Sequence, residues 1–512
     1  MTEEKLRPAD PVRQFLHARP RAGQFVFLVF GVLLTLTFAP FGYYLLMPVL
    51  LLPALFACLY SPPRVAAKLT FWYGTGLFLS GTYWLYVSIH VFGQAPLWVA
   101  ILIMLCLVLI MAAYCSAAGW MISRLSDGNP WRLLVVAPAA WVAIEWLRGW
   151  FLSGFPWLAV GYSQIDSPLA GWAPLVGVYG TSTLTVLSSA ALLVAIVGSR
   201  RQRWLSACVV VLPWMTGAAL QPVQWTEAAS RPLRTTIVQA GISQDRKWLP
   251  EQFQPTLDLY RSATLGHGDS DLVVWPEVAI PTVIDRVESY IRVLQSDLRQ
   301  KPKTLLFGIL ERSPPSREVY NSVVMLDGRS RQTYRKRHLV PFGEYFPVPD
   351  FVRNWMRLMS LPTSDMSAGD DEQALLESRS GDKLAVAICY EDAYGAEQLY
   401  ALPGASVLIN VSNDAWFGDS IAPHQHLQIA RMRALEAGRF VVRATNNGVS
   451  AFIGPKGELL DTAPQFEKAT MTMDVLPHTG ATPYVRTGNW PVISLLVLIL
   501  AWHARRTIQL RI

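Results

Sequence analysis

The stretch Leu384-Ala-Val-Ala-Ile-Cys-Tyr-Glu391 decides how the rest of the chain is read. Five successive apolar residues, without the alternation of a half-exposed strand, predict a β-strand buried on both faces. The strand runs straight into Cys389, the only cysteine between Gln221 and Thr487. Cys58, Cys106, Cys115 and Cys208 all lie inside long hydrophobic runs. A lone thiol at the end of a buried strand is either a packed structural cysteine or a nucleophile. The choice depends on what the remaining chain brings to it.

Around this strand, short β-rich runs alternate with amphipathic helices. Strands are predicted at 235–239, 272–275, 304–309, 322–326, 384–388, 407–411, 440–444 and 449–453, and helices at about 285–299 and 424–438. The first helix places Val287, Ile291, Leu294 and Leu298 on one face, and the second does the same with Leu427, Ala430, Ala434 and Ala437. Gly454-Pro-Lys-Gly457 reads as a tight turn between two strands, and 367–382 as a polar loop. Strands interleaved with helices imply an α/β layered domain, and 221–487 is long enough for a sizeable core.

Outside 221–487 the chain changes character. The 512 residues are 52% hydrophobic and 16% charged, against about a quarter charged in an ordinary soluble domain. Apolar runs lie at roughly 24–39, 43–60, 70–92, 95–122, 133–150, 169–198, 204–220 and 489–504, most of them near the roughly 20 residues that cross a bilayer. The net charge of +7 is unevenly spread: 221–487 holds 28 basic and 31 acidic residues, and the remainder 16 and 6. A basic excess flanking apolar runs sets membrane topology and argues against a nucleic-acid surface. Arg64 and Lys68, Arg124 and Arg132, and Arg200, Arg201 and Arg203 mark alternate loops, and both termini are basic. Eight spans, with both termini in the cytoplasm and 221–487 in the periplasm of a bacterium, satisfy these loops. The expected organisation is therefore a membrane domain over 1–220 with seven helices, a catalytic domain over 221–487, and a last span and tail over 488–512.

Three further features are singled out. Glu145 and Arg148 lie near the end of an apolar run, where ionisable groups are costly unless paired or facing a cavity. The aromatic loop Gly154-Phe-Pro-Trp-Leu-Ala-Val-Gly-Tyr162 reads as an interfacial belt or part of a lipid entrance. The segment 349–359 places Phe351, Val352, Trp355, Met356 and Met359 on one helical face, which fits a core-facing helix or a lid dipping into the bilayer surface.

The chemistry-bearing residues repeat one design, a strand or loop that ends on a reactive polar group. Leu272-Val-Val-Trp-Pro-Glu277 delivers a carboxylate after a strand stopped by Pro276. Tyr334-Arg-Lys-Arg-His-Leu-Val-Pro-Phe-Gly-Glu344 supplies Lys336 and Glu344, and Asn410-Val-Ser-Asn-Asp-Ala-Trp-Phe-Gly418 ends in an aromatic turn. Each alone is weak, since a lone Glu or Lys is usually a solvated surface charge. Together, cysteine, carboxylate and ammonium make an acyl-transfer site: a base for the thiol, and a cation plus the backbone N–H after Cys389 for the oxyanion.

Trp275-Pro-Glu277, Lys336 with His338-Leu-Val-Pro-Phe-Gly-Glu344, and Cys389-Tyr-Glu391 resemble the Glu–Lys–Cys set of the nitrilase (carbon–nitrogen hydrolase) superfamily. Val238-Gln-Ala-Gly-Ile-Ser-Gln-Asp-Arg-Lys-Trp248, Asn410 to Ser420, Pro423-His-Gln-His426, Arg431-Met-Arg-Ala-Leu-Glu436 and Thr445-Asn-Asn-Gly448 resemble, more closely, the apolipoprotein N-acyltransferase family. The resemblance implies an αββα sandwich on an α-helical membrane bundle and a ping-pong reaction. Cys389 would take an acyl chain from a phospholipid as a thioester and pass it to the N-terminal amine of a diacylglyceryl-cysteine apolipoprotein. It also implies Glu277 as base, Lys336 as oxyanion stabiliser, Glu344 as a second carboxylate orienting the lysine, and Tyr390, Glu391, Trp248 and Trp416 near the site. It implies no cofactor, no metal and a monomer.

Other readings stay open at this point. A membrane-tethered amidase or nitrilase would use the same three residues with water as acceptor. A papain-like Cys–His pair has His338, His424 and His426 available. The histidines of Pro423-His-Gln-His426 fit helix capping and packing more readily than metal binding. A transporter or receptor would need none of this chemistry.

Overall fold

The computed structural model describes residues 18–266, 269–301, 303–313, 316, 318–346 and 365–509. The amphipathic segment 349–359 lies outside the described residues. The chain divides into two units: one takes in the chain up to Tyr86, Pro96–Val223 and the chain from Thr487, the other Val87–Ala95 and Gln224–Arg486.

The first unit is helical. Among the described residues, five helical runs are long and apolar enough to cross a membrane: Pro20–Thr37, Leu97–Ser126, Pro130–Arg148, Pro168–Val197 and Arg200–Leu220. The expected count of eight is not confirmed, because the other three apolar runs fall short in length or hydropathy. Pro48 and Pro53 accompany a break of 43–60 into Leu46–Leu50 and Leu52–Tyr60; Pro63–Gly81 carries Arg64, Lys68 and many small residues; Trp490–Gln509 ends in Arg505 and Arg506. Glu145 and Arg148 are both buried, and both bond to the aromatic loop. Glu145 accepts from Ser182 Oγ at 2.5 Å and Val160 N at 2.9 Å, while Arg148 Nη1 donates to the Phe155 and Trp157 carbonyls, each at 2.7 Å. The loop from Phe155 to Ile165 is accordingly interior and forms no exposed aromatic belt.

In the second unit, besides a short antiparallel pair of Glu227–Ala228 with His478–Thr479, the strands are β1 (Leu233–Gln239), β2 (Leu272–Val274), β3 (Ile280–Val283), β4 (Thr304–Ser313), β5 (Glu318–Leu326), β6 (Arg331–Arg335), β7 (Leu376–Glu377), β8 (Lys383–Ile388), β9 (Val407–Ser412), β10 (Val441–Thr445), β11 (Ala451–Ile453), β12 (Leu459–Thr462) and β13 (Ala469–Val475). They form two sheets, ordered β13-β1-β2-β4-β5-β6 with β3 beside β4, and β12-β11-β10-β9-β8-β7. Strands β1, β2 and β4 are mutually parallel, as are β8, β9 and β10.

Successive side chains of a strand point to opposite faces, and here both faces are buried. Leu272, Val274 and Leu306 of the first sheet share a core with Leu384, Val386, Ile388, Ile409 and Val411 of the second. The intervening Val273 and Leu305 pack on the other side, with Leu257 and Tyr260 of α1 (Pro250–Gly266) and Ile291, Leu294 and Leu298 of α2 (Glu288–Gln300). On the outer face of the second sheet, Ala385, Leu408 and Val441 meet Leu427, Ala430, Ala434 and Ala437 of α3 (Ala422–Ala437). The layers are helix, sheet, sheet, helix, which is the expected αββα arrangement. In register, Ile388 sits beside Val411 and Val411 beside Ala444. The carboxyl ends of β8, β9 and β10 therefore end together, where α/β sheets bind ligands.

Candidate active site

Cys389 follows β8 directly, with φ of +52°, the left-handed region that non-glycine residues enter at a cost of about 1–2 kcal/mol. The strand end turns sharply there instead of continuing, and the thiol is left half-buried. The turn is tied by Glu391, two residues on. Its buried carboxylate accepts from Ile388 N at 2.6 Å, Arg337 N at 2.7 Å and Tyr334 Oη at 3.1 Å. Burial pushes the Glu391 carboxyl above its ordinary range in spite of these bonds. Glu391 thus fastens the end of β8 to the exit of β6.

Lys336 leaves that same exit. Its N–H donates to the Asn321 carbonyl on β5 at 2.8 Å, and its side chain is buried. The ammonium lies 2.9 Å from the Glu344 carboxylate and 3.7 Å from Glu277 Oε1. Asn321 Nδ2 donates to both acids, to Glu277 Oε1 at 2.8 Å and Glu344 Oε1 at 3.0 Å. The backbone N–H of Asn413, just beyond β9, donates to Glu277 Oε2 at 2.8 Å, and Val340 N to Glu344 Oε2 at 2.9 Å. Lys247 Nζ reaches the Glu277 carbonyl at 3.2 Å. Asn321, Asn413 and Lys247 were not singled out in the sequence. Asn321 lies one residue outside the predicted strand 322–326, and a polar residue at the mouth of an apolar strand was the available signal.

Electrostatics follow from this packing. Burial alone would lower Lys336, but Glu344 and Glu277 outweigh it and hold the ammonium well above its ordinary range. Burial, and then the Glu277 and Asp414 carboxylates, push the Cys389 thiol well above its ordinary value against the pull of Lys336 and Ser412. The resting sulfur is a thiol, so attack requires proton transfer as the bond forms, which is general-base work.

The remaining expected residues sort differently. The Tyr390 and Tyr394 rings lie 5.1 Å apart, and Tyr394 stacks on His338 at 3.6 Å. Trp248 and Trp416 are half-exposed, at 50% and 40%. Their large apolar faces are available to a lipid or peptide. His338 Nδ1 is held by Glu397 at 3.0 Å. His426 turns its two nitrogens to the Cys389 carbonyl at 3.1 Å and to Asp414 Oδ1 at 3.0 Å. Both histidines thus have other bonded partners, the Cys389 carbonyl and Asp414 for His426 and Glu397 for His338. Cys389, Asp414 and His426 offer ligand atoms within 4.8 Å of one another; an ion there would compete with the bonds just described.

Residues 30–191 match the family model for the apolipoprotein N-acyltransferase N-terminal domain, and residues 234–484 that for carbon–nitrogen hydrolase. Apolipoprotein N-acyltransferase of Methylococcus capsulatus is 40% identical over 467 residues, covering 91% of this chain and 92% of that one. That of Azotobacter vinelandii is 42% identical over 498 residues, covering 94% and 95%. That of Nitrosomonas europaea is 40% identical over 476 residues, covering 92% and 94%. With both parts matched and the similarity running nearly end to end, this chain belongs to the apolipoprotein N-acyltransferase family.

Proposed function

We propose that the protein transfers an acyl chain from a phospholipid, through a thioester on Cys389, to the N-terminal amine of a diacylglyceryl-cysteine apolipoprotein. Glu277 takes the Cys389 proton as sulfur attacks the ester carbonyl of the donor. Lys336 and the backbone N–H of Tyr390 stabilise the oxyanion. The carbon–oxygen bond breaks, and the lysophospholipid leaves with the proton returned from Glu277. The incoming amine then attacks the thioester, Glu277 accepts its proton, and the thiol is restored as the amide forms. Glu344 orients Lys336, while Tyr390, Trp248 and Trp416 line the approach. The protein acts as a monomer, its catalytic domain of residues 221–487 periplasmic and both termini cytoplasmic.

One observation carries this reading: a thiol held on a strained turn beside a buried cluster in which Lys336 bonds Glu344 at 2.9 Å and lies 3.7 Å from Glu277. The apolar helices of the first unit favour a lipid donor over a soluble amide. The test is intact-mass analysis of purified protein given phospholipid without acceptor. A hydroxylamine-labile acyl adduct at Cys389, absent from C389A, is expected. Turnover without any such adduct would overturn the thioester.

A further inference from the structure

A second buried cluster reaches the nucleophile from the side opposite to β8. His426, on α3, lies with Nε2 at 3.1 Å from the Cys389 carbonyl oxygen. A carbonyl only accepts, so Nε2 carries the hydrogen and donates. Its Nδ1 faces Asp414 Oδ1 at 3.0 Å. Asp414 is in turn fixed by Ser412 Oγ at 2.7 Å and Arg443 Nη2 at 2.8 Å, and Arg443 also lies 3.5 Å from Asp392. All of these side chains are buried. Burial would raise the Asp414 carboxyl, but Arg443 and His426 outweigh it and hold it well below its usual range. The ring is therefore clamped, and it clamps the Cys389 oxygen.

The consequence lies on the other side of the same peptide. A trans peptide is planar, with C=O and the next N–H pointing in opposite directions. Fixing the Cys389 oxygen on His426 fixes the direction of the Tyr390 N–H, the backbone donor assigned above to the oxyanion. Cys389 sits at φ of +52° and opens the 3-10 turn Cys389–Ala393, so this peptide leaves the strand ladder, and a strained turn persists only when its surroundings determine it.

We propose that His426 is a positioning residue for acyl transfer: by donating Nε2–H to the Cys389 carbonyl, it aims the Tyr390 N–H at the oxyanion of the tetrahedral intermediate. The inference rests on the acyl-enzyme reading. Removing the donor should slow acylation by about 100-fold, the scale of losing one oxyanion donor. Lipid affinity should not change.

The experiment uses full-length protein in phospholipid nanodiscs, comparing wild type, H426M and H426Q. Methionine fills the volume without a donor, and the glutamine amide restores an N–H near the Nε2 position. Single-turnover acylation of Cys389 is read by mass, and in parallel the rate of Cys389 alkylation by iodoacetamide, a reaction that forms no oxyanion. The expected result is acylation about 100-fold slower in H426M and within tenfold of wild type in H426Q. Alkylation and the half-saturating phospholipid fraction should stay within threefold in both. If H426M does not fold, H426N serves in its place, its amide being too short to span to the Cys389 oxygen. Acylation of the donorless variant within threefold of wild type, alkylation falling in step with acylation, or H426Q no faster than H426M would each overturn the role of His426. Absence of any adduct in wild type would instead overturn the acyl-enzyme reading itself.

Discussion

Three buried cations illustrate how differently one environment treats a charge. Lys336 keeps its proton because two carboxylates face it, and Arg443 is paired by Asp414 at 2.8 Å. Lys247 bonds the Glu277 carbonyl and has no carboxylate ion pair among the described residues, and burial lowers its ammonium to about 8, against a smaller upward pull from the Glu277 charge. Its folded value lies below the unfolded one of about 10.4, so between these values the unfolded chain binds more protons and stability rises with pH. Below pH 8 both states are charged and the penalty is constant, at most about 3 kcal/mol from the shift. Lys247→Met removes that penalty and loses a hydrogen bond of about 1 kcal/mol. The variant should therefore unfold at a higher temperature than wild type at pH 7, with the advantage gone by pH 10. Thermal unfolding across that range checks it; a pH-independent difference, or a less stable variant at pH 7, would refute the assignment.

At the scale of elements, apolar runs were the legible part. The predicted strand 384–388 appears as β8 (Lys383–Ile388), and the predicted helix 424–438 as α3 (Ala422–Ala437). The strand is buried on both faces and shows as an unbroken apolar run, while the helix shows through Leu427, Ala430, Ala434 and Ala437, which pack on the sheet. Strand β6 was missed because Arg331-Gln-Thr-Tyr-Arg335 is an edge strand with only Tyr334 fully buried, and edges need no apolar alternation. Helix α1 was missed because Pro255 interrupts a run with few apolar residues. Cys389, Glu277 and Lys336 stood out as polar residues ending or following strands. His426 stood out only as an alternative partner for the thiol and in Pro423-His-Gln-His426, because a bond to a backbone carbonyl 37 positions away leaves no local spacing to read. One glycine shows how closely two elements must approach. A Cβ on Gly308 in β4 would lie 2.4 Å from Val278 N, 2.7 Å from Glu277 Cα and 2.7 Å from the Pro276 oxygen. Those are backbone atoms of the turn that carries the proposed base, so Gly308→Ala must displace it. Since a misplacement of about 1 Å costs about 100-fold in rate, kcat should fall on that order with half-saturation by lipid little changed. Steady-state kinetics decide, and a fully active G308A would show that Glu277 need not be so placed.

For the molecule as a whole, topology links the charge pattern to the fold. Residues 87–95 follow the helix Pro63–Gly81 and precede Leu97–Ser126, yet they belong to the same compact unit as Gln224–Arg486. Ser88 Oγ donates to the Trp416 carbonyl at 2.8 Å, and a Cβ on Gly418 would come within 3.2 Å of Val87 Cγ1. A segment folded into that unit must share its side of the membrane. The loops with Arg64 and Lys68 and with Arg124 and Arg132 fall one helix away in either direction. Positively charged loops mark the cytoplasmic side, so the charge pattern supports the proposed periplasmic side for 87–95, and the shared unit extends that proposal to Gln224–Arg486. With the five native cysteines replaced, Gln94→Cys should react with a membrane-impermeant maleimide in cells whose outer membrane alone is opened. Arg201→Cys, in the first turn of Arg200–Leu220, should react only after lysis. Labelling of both before lysis, or the reverse order, would require the catalytic unit to be reassigned to the cytoplasm, away from any lipoprotein acceptor in the periplasm.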